Sequence, residues 1–301
     1  MNAFTAISPA ISAATPFADT RVCNAMSVDV EDWFQVGAFE GVIDKADWSG
    51  LESRVERNTD AVLALFAESG TKATFFTLGW VAARKPALIR RIVDAGHEIA
   101  SHGWDHQRVF TMNADAFRAD LQAARTAIED AAGVAVTGYR APSFSIDQRT
   151  PWAHSVLAEA GYGYSSSVAP IAHDHYGWPD APRRAYRPLA DASLIELPIT
   201  IARIAGREMT TGGGFFRLFP GAITHRAVRQ ANAADHRPAV FYFHPWEIDP
   251  GQPRFASAPL KSTLRHYARL GAMAGKLRRL MAAHHWGRVD AVVAVEAALL
   301  P

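Results

Sequence analysis

Four short segments of the chain concentrate residue types that do chemistry. The first is Asp29-Val30-Glu31-Asp32, with three carboxylates in four positions. Such a group repels itself unless a cation or several donors neutralise it; the plain alternative is a solvated acidic turn. The second is Ser101-His102-Gly103-Trp104-Asp105-His106. Imidazoles four apart can share a metal ion, although a chain with 12 histidines also produces that spacing by accident. The third, Gly138-Tyr139-Arg140-Ala141-Pro142-Ser143-Phe144, offers a permanent cation that orients a carboxylate or forms a structural salt bridge. The fourth, Phe241-Tyr242-Phe243-His244-Pro245-Trp246, is an apolar run ending in a histidine, which suits proton transfer or a core position satisfied by backbone. Two histidines with one carboxylate make a three-ligand site with open positions, the arrangement of a hydrolytic divalent metal such as zinc. Gly212-Gly213-Gly214 lacks the lysine of a phosphate loop and reads as backbone passing close to the site, or as a plain turn.

The elements that position these segments alternate between strand and helix. Strands are expected at 24–30, 73–78, 97–101, 136–140, 164–168, 194–199 and 240–244, from short apolar runs bounded by turn residues. Helices are expected at 54–69, closed by Gly70, at 86–95, closed by Gly96, and from a cap at Asn113 through Ala132. A short helix fits 151–160, a long loop 169–188, and one further outer helix 258–284. This alternation predicts an α/β fold with parallel strands, and about seven units fit a distorted (β/α) barrel better than an open nucleotide-binding sheet. All four chemical segments then fall at the C-terminal ends of strands, the rim where such folds bind ligands.

Composition sets limits on function. Of 301 residues, 49% are hydrophobic and 20% charged, ordinary for a globular chain with a sizeable core. A formal charge of +1 gives no sign of nucleic acid or of an anionic membrane surface. The single cysteine, Cys23, excludes an intrachain disulfide and any multi-cysteine zinc site. Met1 to Pro16 supply neither the basic start nor the apolar run of a secretory signal, and no stretch is long and apolar enough to span a bilayer. The expectation is a cytoplasmic protein, with peripheral attachment at the inner membrane face left open. Residues 1–21 are expected to be a disordered extension, 22–250 a catalytic domain, and 251–301 a helical extension packed on it.

In this order, the four segments resemble the polysaccharide deacetylase family (NodB homology, carbohydrate esterase family 4). The resemblance covers residues 22–250. It is strongest to the subgroup found with bacterial exopolysaccharide assembly and exosortase systems. That subgroup shares the V-D-V-E-D-W opening, R-A-P-S-F-S, a loop like His173 to Gly177, G-G-G-F-F-R-L, F-H-P-W-E and a C-terminal extension like residues 251–285. The resemblance implies a NodB-type distorted barrel and a metal-dependent N-deacetylase, a hydrolase of carbon–nitrogen bonds other than peptide bonds. Its substrate would be an N-acetylated glycan and its product acetate. A homo-oligomer is compatible with the sequence.

Carried onto this chain, the resemblance makes Asp29 the general base, His102 and His106 metal ligands, Arg140 the brace of the base, and His244 the general acid. The backbone N–H of Ser143 falls where the family places its oxyanion donor. Two features depart from the family pattern. The usual T-F-D-D opening puts the metal aspartate directly after the base, but Val30 stands there, so the third ligand is Glu31 or Asp32. Relatives with D-x-D favour Glu31. Second, Ser165-Ser166-Ser167 replaces a D-S-S motif, so Asp174 or Glu247 must orient the catalytic histidine. The competing functions are an allantoinase-like hydrolase of small cyclic amides and a non-catalytic sugar-binding relative. Trp104, Trp178 and Trp246 are candidates for stacking on a sugar.

Overall fold

The computed structural model describes residues 22–172, 176–204, 206–255 and 258–300. The expected extension over 1–21, and Asp174 with its neighbours, lie outside the described residues. In chain order the elements are β1 (Asn24–Val30), α1 (Val55–Ser69), β2 (Thr74–Thr77), α2 (Gly79–Arg84), α3 (Pro86–Asp94), β3 (Glu98–Ser101) and α4 (Ala114–Ala132). There follow β4 (Gly138–Tyr139), α5 (Ala153–Glu159), β5 (Tyr164–Ser165), β6 (Ile195–Glu196), β7 (Ile201–Ile204), β8 (Arg207–Thr210), α6 (Gly213–Leu218) and α7 (Gly221–Arg229). The chain ends with β9 (Val240–Phe243), α8 (Leu260–Tyr267), α9 (Leu270–Ala283), β10 (Trp286–Gly287) and α10 (Val289–Ala297).

Seven parallel strands curl into a half-barrel in the order β9-β1-β2-β3-β4-β5-β6. The short β10 joins the N-terminal end of β1, with Asn24 opposite Trp286. Between the two edges, Thr200 N–H reaches Val240 O (3.4 Å) and Val240 N–H reaches Thr200 Oγ1 (2.7 Å). Strands β1, β2, β3 and β9 are buried along their whole length, as parallel strands covered on both faces must be. Helix α4 shows why the sequence folds as it does. The Asn113 side chain accepts from Ala116 N–H at 2.8 Å, Phe117, Leu121, Ala124 and Ile128 bury one stripe, and Gly133 closes the helix at φ 71°.

Three stretches depart from the sequence reading. The strands expected at 136–140, 164–168 and 194–199 shrink to two paired residues each, because the chain there bends into the rim loops that carry the site. The antiparallel hairpin β7–β8 was not foreseen. The single helix expected over 258–284 is two helices, α8 and α9, broken where Arg269 takes φ 59°. Arg217 hydrogen-bonds the carbonyls of Arg265 and Ala268 at that break, drawing them out of a continuous helical ladder.

Candidate active site

Strand β1 delivers three polar side chains to one face by simple alternation: Ser27, Asp29 and, just past its end, Glu31. All are buried. Glu31 meets the two histidines that follow β3, and ligand atoms of Glu31, His102 and His106 lie within 4.8 Å of one another. Gly103 (φ 76°) and His106 (φ 63°) both adopt left-handed backbone, which turns the segment back so that both rings face the carboxylate. Glu31 Oε2 lies 3.0 Å from His106 Nε2. Burial opposes the charge of Glu31, but His106, His244 and His102 outweigh it and hold its carboxyl down at about 2.

This trio fits a divalent metal. His102 Nδ1 sits 2.8 Å from Arg140 O, so that nitrogen carries the proton to the carbonyl and Nε2 keeps its lone pair for the centre of the cluster. Burial holds the His102 imidazole down at about 4, which keeps it in the neutral, ligating form. Glu31 Oε2 is buried with no well-formed hydrogen bond. A two-histidine, one-carboxylate set is a normal donor set for zinc.

Asp32, the alternative third ligand, is not part of this group. It is fully buried, and its carboxylate accepts from the N–H groups of Trp33 (2.9 Å), Arg54 (2.9 Å) and Val55 (3.1 Å). Burial raises its carboxyl above the usual range while those N–H groups oppose the rise. Asp32 therefore holds the start of α1, and its oxygens are spent on backbone.

Arg140 is wholly buried and spends its guanidinium on neighbours that fix Asp29. Nη1 donates to Asp29 Oδ1 (2.8 Å) and Ser27 Oγ (2.7 Å), Nη2 to Ser166 Oγ (3.0 Å), and Nε to Ser166 O (3.1 Å). The serines that replace the D-S-S motif thus brace the arginine. Ser167 Oγ extends the brace by accepting from Ala141 N–H at 2.9 Å. Ser143, two residues on, has φ 55° and lines the same cleft.

His244 enters from the end of β9, with Nε2 3.4 Å from Glu31 Oε1 and 4.0 Å from Asp29 Oδ2. Its Nδ1 lies 3.1 Å from Glu247 Oε2, and Glu247 Oε1 accepts from Arg217 Nε at 3.0 Å. Burial works against a proton on His244, yet Glu31, Glu247 and Asp29 together raise the imidazole to about 9. Trp246 stacks between His244 and His266, at ring separations of 5.3 and 4.3 Å, and donates its indole N–H to Glu31 Oε1 at 3.3 Å. Arg217, Trp246, Ser27 and Ser166 were not singled out by sequence as supports. Ser27 stands two before Asp29 on a strand, while Arg217, Trp246 and Ser166 lie in segments quoted for the resemblance without these roles being assigned to them.

The cleft over these groups measures about 400 Å³ and is also lined by Phe144, Tyr176 and Tyr242. A wider groove of about 750 Å³ runs between α2 and α4, but its alanines, Trp104, Gln122, Thr126 and the single carboxylate of Asp130 bring together no ligand set. Of the tryptophans considered for sugar stacking, Trp104 faces that groove, Trp178 packs on the core, and only Trp246 reaches the site. Gly212 and Gly213 pack on Tyr242, so backbone does pass close to the site there.

A family model described as polysaccharide deacetylase matches residues 46–165, and one described as a domain of unknown function, DUF3473, matches residues 166–294. Residues 46–165 are a polysaccharide deacetylase domain. The family match begins after the acidic opening segment, and the geometry above brings that segment to the histidines. A chitooligosaccharide deacetylase of Bradyrhizobium sp. (strain ANU 289) is 31% identical over 133 residues, which cover 44% of this chain and 55% of the relative. A peptidoglycan deacetylase of Helicobacter pylori (strain ATCC 700392 / 26695) is 32% identical over 107 residues, covering 36% of each. The chain thus spans about half or less of these curated relatives. A solved Mycobacterium smegmatis structure bearing the same family name superposes at TM-score 0.62 with 22% identity, covering 98% of this chain and 96% of that one. That likeness supports the fold, a NodB-type distorted barrel. Among the described residues, no helix is long and apolar enough to cross a membrane.

Proposed function

We propose that the protein is a metal-dependent N-deacetylase that removes acetyl groups from an amino-sugar polysaccharide. One observation carries the reading: a braced carboxylate, Asp29, and a carboxylate-paired histidine, His244, share one cleft with the three-donor set Glu31, His102 and His106. A binding module needs no paired base and acid. When bound there, a divalent metal, zinc first by donor type, supplies Lewis-acid polarisation of the amide carbonyl and acidifies water.

The chain's own residues do the rest. Asp29, oriented by Arg140, takes the proton from the attacking water. The Ser143 N–H serves as a donor to the oxygen that gains charge as the carbonyl becomes tetrahedral. His244, oriented by Glu247, gives its proton to the departing nitrogen, because an unprotonated amine leaves poorly. The products are acetate and a free amino sugar. The exopolysaccharide setting rests on the ordered segments V-D-V-E-D-W, R-A-P-S-F-S, G-G-G-F-F-R-L and F-H-P-W-E. Residues 22–250 would form the catalytic domain, with 251–301 an extension that supplies part of the cleft.

The test is acetate release from N-acetylglucosamine oligomers, run beside a small cyclic amide such as allantoin. Acetate release by the wild type, and its loss in Asp29→Asn with bound metal retained, is the expected result. Turnover of the cyclic amide alone would redirect the reading to a small-amide hydrolase. Full activity in Asp29→Asn would remove the base assignment.

A further inference from the structure

The formal charge of +1 conceals a strong asymmetry. Residues 209–234 and 251–289 together hold eleven of the 31 Lys and Arg residues and none of the 30 Asp and Glu. Several of these cations have internal partners. Arg217 and Lys276 are buried, Arg278 pairs with Glu68, and Arg288 pairs with Asp290. Arg226, Arg229 and Arg279, on α7 and α9, are exposed and, among the described residues, have no carboxylate within 4.0 Å; the same holds for three more, Arg254, Arg265 and Arg269.

These last three arginines flank or lie on α8, and α8 carries an exposed apolar pair. Leu260 and Leu264 are 82% and 70% exposed and stand one helical turn apart on one face. Ser262, Arg265 and His266, on the adjoining face, line the cleft. Phe219, at the end of α6, is also exposed and stacks on Phe215. Arg217 of α6 ties the two helices together through the carbonyls of Arg265 and Ala268.

We infer that α8 and its arginines form a docking surface for an anionic lipid bilayer, placed at the mouth of the cleft. The leucine pair enters the apolar layer while Arg254, Arg265 and Arg269 meet headgroup phosphates. Charge decides against the other occupants. A second copy of the chain would set this unpaired positive rim against itself, and a neutral soluble glycan has no use for exposed leucines. Docked this way, the cleft opens onto the lipid surface and takes a glycan held there. The inference does not depend on the reaction assigned to the cleft, since binding is measured without turnover.

The test is co-sedimentation of the full chain with vesicles of phosphatidylcholine containing roughly a third phosphatidylglycerol, and with pure phosphatidylcholine vesicles. Binding to the anionic vesicles that weakens with added salt is expected, with little binding to the neutral ones. Leu260→Ser with Leu264→Ser should lower the affinity at least about tenfold. Arg254→Gln with Arg269→Gln should lower it by about fivefold per charge removed. Val295→Ser with Leu299→Ser alters equally exposed residues outside the basic segments and should leave binding unchanged. Failure of the wild type to bind anionic vesicles overturns the inference, and so does undiminished binding by the leucine variant. A wild-type dimer that the leucine variant converts to monomer, with no vesicle binding, would assign the face to self-association instead.

Discussion

Oε2 of Glu247 lies 3.1 Å from Nδ1 of His244, and the same oxygen accepts from the His244 backbone N–H at 3.1 Å. A fully buried carboxylate gripped on one side by Arg217 therefore fixes both the ring and the backbone of the proposed acid. Burial alone would push Glu247 towards its neutral form, but His244 and Arg217 reverse that and hold its carboxyl below the ordinary value. Glu247→Gln keeps the shape and removes the charge. It should lower kcat by about 10²–10³-fold with metal content unchanged, because a misoriented or deprotonated imidazole gives poor general-acid catalysis. Steady-state kinetics beside metal analysis checks this. A variant with wild-type kcat would show that His244 needs no carboxylate partner.

The third metal ligand is tested by separating Glu31 from Asp32. Glu31→Ala, His102→Ala and His106→Ala should each lose stoichiometric metal. Asp32→Asn should keep it while losing about 0.5–2 kcal/mol of stability, the usual worth of a helix-start cap. Metal analysis and thermal melts on the same preparations give both readouts. Metal loss in Asp32→Asn with an intact fold would reverse the assignment.

The glycine run makes a separate prediction. A Cβ built on Gly212 would lie 2.3 Å from Tyr242 O and 2.9 Å from Tyr242 N, both backbone atoms of β9 that cannot swing aside. Gly212→Ala should therefore destabilise the fold by about 1–3 kcal/mol through overpacking. Since β9 ends in His244, it should also lower activity. Gly221→Ala, with nothing within 4 Å of the added carbon, is the control and should melt like the wild type. Equal melts for the two variants would refute the packing role.

Much of this site was legible in sequence because it follows from strand periodicity. Ser27, Asp29 and Glu31 share a face through the period of two, and His102, Arg140 and His244 each follow directly on a strand. Asn113 and Gly133 announced both ends of α4. What sequence did not carry was long-range pairing. Nothing near Arg217 says that its guanidinium will meet Glu247, 30 residues on, and carbonyls of α8 beyond it. The break between α8 and α9 was hidden for the same reason, since its cause is a side chain from α6. Asp32 and Glu31 are adjacent acids of similar type, and only the fold shows that one meets backbone and the other histidines.

The opposite end of the barrel holds a pH-sensitive group that the proposed chemistry does not use. Glu98, at the start of β3, is buried and accepts from Tyr164 Oη (2.8 Å), Asp290 N–H (3.1 Å) and Thr74 Oγ1. Burial first, and then the charge of Asp290, raise its carboxyl from 4.5 to about 7. A carboxyl whose folded value is raised binds its proton more tightly in the folded than in the unfolded chain. Its stabilising contribution is therefore complete below 4.5 and is lost as the pH rises through about 7. The wild type should accordingly melt at a lower temperature at pH 8 than at pH 5, all other groups being equal. Glu98→Gln cannot ionise, so it should flatten that dependence and gain on the wild type as the pH rises. Thermal melts of both proteins across this range decide the point, and parallel curves would mean that Glu98 titrates alike in the folded and unfolded states.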